Sequence, residues 1–157
     1  MPTEPPAPRR ALLVSSSGGH LAQLARLKPW WSAWDRTWVT FPTPDATSLL
    51  ADEHAVWAHH PTTRNVPNLL RNLVLAVGVL RRERPAVVVS TGAGVAVPFF
   101  VVARLLRIPT VYVEVYDRID SPTMTGRLCR PFSSLFCVQW PEQVKLYRRA
   151  VVVGPLL

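Results

Sequence analysis

The sequence predicts an α/β fold: a Rossmann-like, doubly wound layer with a mainly parallel sheet. Three observations carry that prediction. Short β-branched runs alternate with segments of helical periodicity along most of the chain. One run, Ala86-Val-Val-Val-Ser90, is apolar without alternation, as a parallel strand covered on both faces should be. Two of the strands also end in Gly-rich turns that lead into helices, Ser15-Ser-Ser-Gly-Gly-His20 and Ser90-Thr-Gly-Ala-Gly94. In such a layer, ligands bind at the carboxyl edge of the strands.

Taken in order, residues 11–16 form the first strand and 19–34 a largely helical stretch that Pro29 should end or bend. A second strand is expected over 38–41, a loop over 42–45, a helix over 46–53 and a third strand over 55–58. The segment 59–67 leads to a long helix over 68–84, stopped by Pro85, and then to the fourth strand, 86–90. A helix over 97–107 and a strand over 110–115 follow. The last third repeats the rhythm with a loop and helix over 122–131, a strand over 135–138, a helix over 141–147 and a closing strand over 150–153.

At 157 residues and 48% hydrophobic, the chain suits one domain, 11–157, after a flexible Pro-rich tail over 1–10. That tail has no apolar signal core, which predicts a cytoplasmic protein. The formal charge is +8, and 16 of the 18 basic residues are Arg. Phosphates or an anionic membrane face are the partners such a balance favours. The arginines are scattered and no nucleic-acid module is present, so nucleic-acid binding is not expected. Cys129 and Cys137 read as partly buried free thiols, and Asp117-Arg-Ile-Asp120 lacks the ligand density of a metal site.

The two turns point to anion recognition, because a strand-turn-helix junction presents backbone N–H groups and the positive end of a helix. Neither is a nucleotide motif. The first has no Gly-Lys-Ser/Thr and no Gly-x-Gly-x-x-Gly, and no obvious acidic ribose partner follows the second strand. A plain tight turn would need the same glycines. A Cβ at Gly19 is expected to obstruct the turn or its ligand. His20 is either a general base, a ligand-positioning group or a structural residue that orients the helix start. Glu114 ends the strand 110–115, so its carboxylate is expected at the functional edge, where it binds a hydroxyl, accepts a proton or pairs with Arg118.

On the long helix, Leu69, Leu70, Leu73, Val74, Val77 and Leu80 recur at helical spacing, bracketed by Arg71, Arg81, Arg82 and Arg84. The uncharged run 72–80 is much too short to span a bilayer. The helix either lies on a membrane or packs on its own sheet, and Trp30, Trp31, Trp34, Trp38 and Trp57 add aromatic surface that is interfacial in the first case.

Five separated segments, in order, resemble one family: Ser15-Ser-Ser-Gly-Gly-His-Leu21, Ser90-Thr-Gly-Ala-Gly94, Tyr112-Val-Glu114, the run from Ser121-Pro-Thr-Met-Thr-Gly-Arg127 through Val138-Gln-Trp-Pro-Glu142, and Val153-Gly-Pro-Leu-Leu157. The chain resembles bacterial exopolysaccharide and capsule proteins of the PssD/CpsF type. These are similar to the Alg14 membrane-anchoring subunit of a split N-acetylglucosaminyltransferase. The resemblance implies the N-terminal, acceptor-side domain of a GT-B glycosyltransferase, active only with an Alg13/PssE-like subunit that holds the UDP-sugar, this chain binding no cofactor itself. The acceptor it implies is a polyprenyl-diphosphate-linked saccharide, handled peripherally on the cytoplasmic face of the inner membrane.

Carried onto this sequence, the resemblance makes Ser17, Gly18, Gly19, His20, Thr91, Gly92, Gly94, Arg118 and Arg127 acceptor- or phosphate-binding candidates. His20 and Glu114 are the catalytic candidates, and Trp140, Leu156 and Leu157 the expected partner contacts. A purely structural membrane adaptor and a self-sufficient small transferase remain the alternatives.

Overall fold

A computed structural model describes residues 9–157; of the tail expected over 1–10, residues 1–8 lie outside the described residues. Seven strands form one sheet in the order β3-β2-β1-β4-β5-β6-β7. The strands are β1 (Arg10–Ser15), β2 (Asp35–Thr40), β3 (Ala55–Trp57), β4 (Val87–Gly92), β5 (Thr110–Val113), β6 (Leu135–Val138) and β7 (Val151–Val152). Every neighbouring pair is parallel, so the sheet is wholly rather than mainly parallel. Strand order reverses between β1 and β4, the two strands that carry the Gly-rich turns.

The helices are α1 (Gly19–Ala25), α2 (Lys28–Trp31), α3 (Pro44–Leu49), α4 (Val66–Glu83), α5 (Ala96–Leu105) and α6 (Met124–Cys129). One apolar layer joins Leu21 and Leu24 of α1 to Ala46 of α3 and to Ala11 and Leu13 of β1. The opposite layer joins Ala76 and Leu80 of α4 and Phe99 and Phe100 of α5 to Leu12, Val14 and Tyr112. The strands between them are therefore covered on both faces, which explains the unbroken valines of β4.

Boundaries differ from expectation for local reasons. The predicted helix over 19–34 is two helices, because Pro29 has no N–H to continue a ladder and instead sits in the first turn of α2. Helix α4 starts two residues earlier than expected. Asn65 caps it by accepting the Asn68 N–H at 2.9 Å, and Pro67 fits the first turn. The predicted helix over 141–147 is a 3-10 turn, Pro141–Lys145, since Gln143 folds back to accept the N–H groups of Gln139 and Trp140. Strand β1 starts at Arg10, one residue earlier than expected, and the Arg9 carbonyl before it accepts from the Asp35 N–H at 3.1 Å.

Helix α4 turns an unexpected face inward. Its buried residues are Asn68, Asn72, Ala76, Val79, Leu80 and Glu83. Asn68 donates to the Pro61 carbonyl, while Asn72 both donates to and accepts from the His59 backbone, each at 2.9 Å. These amides fix the helix to the 59–61 segment. They leave Val66, Leu69, Leu70 and Val74 exposed, with Leu73 and Val77 half-buried. Leu73, Val77 and Leu80 pack against the core, as the reading in which the helix lies on its own sheet expects, whereas Leu69, Leu70 and Val74 do not; the placing of Leu80 on a membrane face is corrected, since it is core. Trp31 and Trp38 are also core, whereas Trp30 and Trp34 pair at the surface with centroids 5.1 Å apart. No helix among the described residues is long and apolar enough to cross a membrane.

At the other end of α4, buried Glu83 gathers three elements. It accepts from Arg10 of β1 at 3.3 Å, Thr37 of β2 at 3.2 Å and neighbouring Arg82 at 2.8 Å. Burial raises its carboxyl, but the hydrogen bonds from Arg82 and Thr37 and the charges of Arg82 and His54 outweigh that, so its net shift is below the ordinary 4.5. A depressed carboxyl contributes stability that is present above 4.5 and is lost as pH falls through the lower folded value. Glu83→Gln should cost about 1–3 kcal/mol at neutral pH. Urea unfolding at pH 7 and pH 3 checks this: the gap between variant and wild type should shrink in acid, and a constant gap would assign the effect to packing.

Candidate functional site

The crevice where strand order reverses is built by a bulge. Along the β1–β4 ladder, Val14 pairs with Ser90 but Ser15 pairs with Gly92, which pushes Thr91 out of register. Freed from the ladder, Thr91 clasps His20 twice. Its hydroxyl donates to the His20 carbonyl at 2.6 Å, and its carbonyl lies 2.8 Å from His20 Nδ1. A carbonyl only accepts, so the uncharged ring carries its proton on Nδ1 and keeps a lone pair on Nε2. Among the described residues, Nε2 has no hydrogen-bond partner.

Gly92 makes the clasp sterically possible. Its φ of +104° lies in the region that favours glycine, and a Cβ there would stand 2.9 Å from His20 Nδ1 and 3.3 Å from the Tyr112 hydroxyl. Its N–H is taken by the Ser90 hydroxyl at 3.0 Å and its carbonyl by the Ser16 N–H at 3.0 Å, so the two turns are tied together.

The turns differ in what they offer a ligand. In the first, the Gly18 N–H already donates to the Asp45 carboxylate of α3 at 2.9 Å. A second anion at that atom would face a fixed negative charge, so the expectation of an anion nest is corrected there. Asp45, in the stretch expected to be a loop over 42–45, is an ordinary first-turn residue of α3 behind Pro44 and carries no signature of this contact in the sequence. In the second turn, just ahead of α5, the backbone N–H groups of half-buried Ala93 and Gly94 have no acceptor among the described residues, while Val95 is 0% exposed. Unpaired N–H groups ahead of a helix suit a phosphate. Thr62 walls it, its hydroxyl lying 3.1 Å from where a Gly94 Cβ would stand.

Ser17 is half-buried beside these groups, while Gly18 and Gly19 are exposed. Nothing lies within 4 Å of a Cβ built on Gly19, so the expected obstruction of the turn by that atom is corrected.

Glu114 is not at the ligand-accessible edge. It is 0% exposed and accepts from the Val115 N–H at 3.0 Å, the Thr123 hydroxyl at 3.0 Å, the Thr123 N–H at 3.3 Å and the Tyr147 hydroxyl. The backbone folds over it after β5, which removes it from contact with an acceptor and from the expected pairing with Arg118. Its charge acts on neighbours: burial, then Glu114, raises the Tyr147 phenol well above its ordinary value and pushes the Cys129 thiol up to about 12. Cys129 and Cys137 are fully buried free thiols, more enclosed than expected. Gly126 packs against the same cluster, where a Cβ would collide with Glu114, Tyr147 and Thr123.

Arg118 is exposed and reaches the Ser121 hydroxyl at 3.3 Å, and Arg127 lines a separate groove with Arg130, Tyr147 and Arg148. Neither makes a side-chain contact with the two turns among the hydrogen bonds of the described residues. A buried amide chain joins Gln23 of α1 to Gln139 at 2.5 Å, and Gln139 also takes the Leu156 N–H at 2.9 Å. The tail is thus pinned at Leu156 while Leu157 remains 53% exposed, and Trp140 donates its indole N–H to the Tyr116 carbonyl at 2.6 Å. No periodicity in the sequence marks Gln23, Gln139 or Gln143, since their role comes from meeting one another across the sheet.

The profile of the family described as "Oligosaccharide biosynthesis protein Alg14 like" matches residues 58–156. The chain belongs to the Alg14-like family. It is 29% identical to "UDP-N-acetylglucosamine transferase subunit ALG14" of Eremothecium gossypii, over 96% of this chain and 81% of that one. It is also 32% identical to "UDP-N-acetylglucosamine--N-acetylmuramyl-(pentapeptide) pyrophosphoryl-undecaprenol N-acetylglucosamine transferase" of Syntrophotalea carbinolica, over 57% of this chain and only 24% of that enzyme. In fold, it superposes on Acinetobacter baumannii MurG with a TM-score of 0.76 at 18% identity, over 94% of this chain and 46% of that one. The Alg14-like chain spans about a quarter of the Syntrophotalea carbinolica enzyme and under half of the MurG chain.

The glycines separate two roles. Gly19→Ala should fold as stably as wild type, whereas Gly92→Ala should lose about 1–3 kcal/mol and displace the His20 ring. Denaturant unfolding with the imidazole NMR shifts measures both. Equal stability of the two variants would remove the clasp as the organiser of the crevice.

Proposed function

We propose that this chain is the acceptor-binding subunit of a two-component glycosyltransferase. A separate Alg13/PssE-like subunit holds a UDP-sugar, and the sugar moves to a polyprenyl-diphosphate-linked saccharide in exopolysaccharide or capsule synthesis. The observation that carries the proposal is the pairing, in one crevice of an Alg14-like chain, of the unpaired backbone N–H groups of Ala93 and Gly94 with the free Nε2 of His20. The donors suit the acceptor's phosphate, and Nε2 suits hydrogen bonding from an acceptor hydroxyl. Asp45 beside Gly18 favours a neutral, hydroxyl-bearing group at the first turn. UDP-N-acetylglucosamine is the first donor to test, because it stands in the names of the relatives.

In this reading, His20 positions the acceptor and no side chain of this subunit supplies the donor site. The exposed Leu157 beside pinned Leu156 offers an apolar contact to the partner. Each purified chain and their mixture should be assayed with lipid-linked acceptor and UDP-N-acetylglucosamine. Transfer is expected only in the mixture, and His20→Ala should raise the acceptor KM about tenfold with a smaller change in kcat. Equal activity of the partner alone and the mixture would sink the proposal. A mixture indifferent to His20→Ala would favour the structural adaptor, and full activity of this chain alone the self-sufficient enzyme.

In this reading α4 supplies the membrane attachment. Its outward stripe, with Leu70 57% and Val74 74% exposed, ends at exposed Arg81 and Arg82. Apolar surface beside positive charge suits peripheral insertion into an anionic leaflet. In vesicle flotation, Leu70→Glu and Val74→Glu should reduce binding without lowering stability, because both side chains already face solvent, and salt should weaken binding in part. Unchanged flotation of the double variant would place the attachment elsewhere.

A further inference from the structure

We propose that the groove between α6 and the segment 146–148 binds a phosphate-bearing anion. It has a volume of about 460 Å³ and is lined by Pro122, Arg127, Arg130, Leu146, Tyr147 and Arg148. None of these residues belongs to the two Gly-rich turns, so the site stands apart from the His20 crevice; Arg127, which the resemblance made a phosphate-binding candidate, lies here instead.

The groove is lined by three arginines with no matching carboxylate. Among the described residues, no Asp or Glu oxygen lies within 4.0 Å of Arg127, Arg130 or Arg148. The surrounding sequence sharpens the imbalance, since residues 122–157 carry Arg127, Arg130, Lys145, Arg148 and Arg149 against Glu142 alone. Glu114 sits behind Tyr147, but its oxygens are committed to Tyr147, Thr123 and Val115 and it is sealed from the groove. Like charges gathered at one rim repel, and a bound dianion converts that repulsion into attraction.

The site is also partly preorganised. The Arg130 guanidinium lies over the Phe136 ring at 5.6 Å, so one charge is held, while Arg127 and Arg148 on the same groove are exposed. Guanidinium forks match phosphate oxygens in pairs, which an ammonium cannot do. The volume accommodates a diphosphate more naturally than a single small anion. Tyr147, its hydroxyl already donated to Glu114, contributes a ring wall and no donor.

Inorganic pyrophosphate titrated calorimetrically onto the full chain provides the test. A single saturable site is expected, weakened about tenfold by Arg127→Gln and again by Arg148→Gln. Arg130→Lys, which keeps the charge and loses the fork, should also weaken it, while Arg26→Gln on α1 should not. Vesicles of phosphatidylglycerol, with phosphatidylcholine as control, distinguish the source of the phosphate. Displacement of the chain from phosphatidylglycerol by pyrophosphate identifies a lipid headgroup; its absence alongside saturable binding identifies a soluble phosphate. No saturable binding to a chain that melts cooperatively would overturn the proposal. So would wild-type affinity in the Arg127→Gln, Arg148→Gln double variant, or equal weakening by Arg26→Gln.

Discussion

The carboxyl edge depends on how β1 and β4 part from each other. They are the two strands at which the sheet reverses direction, so α1 leaves toward one face and α5 toward the other. A crevice opens between diverging connections at such a point. What keeps it from closing or fraying is the displaced Thr91, whose carbonyl and hydroxyl are available only because the ladder skips it. The reciprocal bonds to His20, with the Ser16 N–H on the Gly92 carbonyl, then make one unit of two turns far apart in sequence. The bulge is thus the physical origin of the ring orientation that leaves Nε2 free.

A second set of polar groups stabilises the loops beyond β5 and β6. Glu114, Gln139 and Gln143 are all fully or nearly fully buried, a placement that costs free energy unless each group is paired. Here they are paired. Gln143 donates to the carbonyls of Val115 and Arg118, Gln139 donates to that of Glu114, and Glu114 accepts from Thr123 and Tyr147. The segment after β5 is fixed from within by side chains, not by secondary structure. Because Gln139 also holds Leu156, the end of the chain and the loop over Glu114 share one set of constraints.

The fold was largely legible, because its signal is local. Valine runs mark β4, and Gly-Gly-His and Thr-Gly-Ala-Gly mark the turns, each within a few consecutive residues. The clasp partners, His20, Thr91 and Gly92, were all among the candidates for that reason. Residues whose role depends on distant chemistry were read less well. Glu114 follows a strand, as expected of an edge residue, but the burial that removes it from a ligand is created by Thr123 and Tyr147, which no spacing rule connects to it. Asp45 was missed because its target, the Gly18 N–H, is a backbone group without a sequence signature. The alternation of helices and strands also could not set the exact ends of α1 and α2, which a single proline and local carbonyl geometry decide.

Helix α4 shows why hydrophobic periodicity alone does not orient an element. Its leucines and valines form a regular stripe that would ordinarily be assigned to the core. Turning that stripe inward would bury Leu69, Leu70 and Val74 but would draw Asn68 and Asn72 away from the Pro61 and His59 backbone groups they satisfy. Backbone polar groups buried without partners are costly, and Ala76, Val79 and Leu80 already fill the space beneath the helix. The amides therefore decide the facing, and Leu69, Leu70 and Val74 remain outside, with Arg81 and Arg82 exposed further along the helix. The attachment proposed for this helix consequently requires no rearrangement of the fold, because the surface that would meet the bilayer is the one the core interactions leave uncovered.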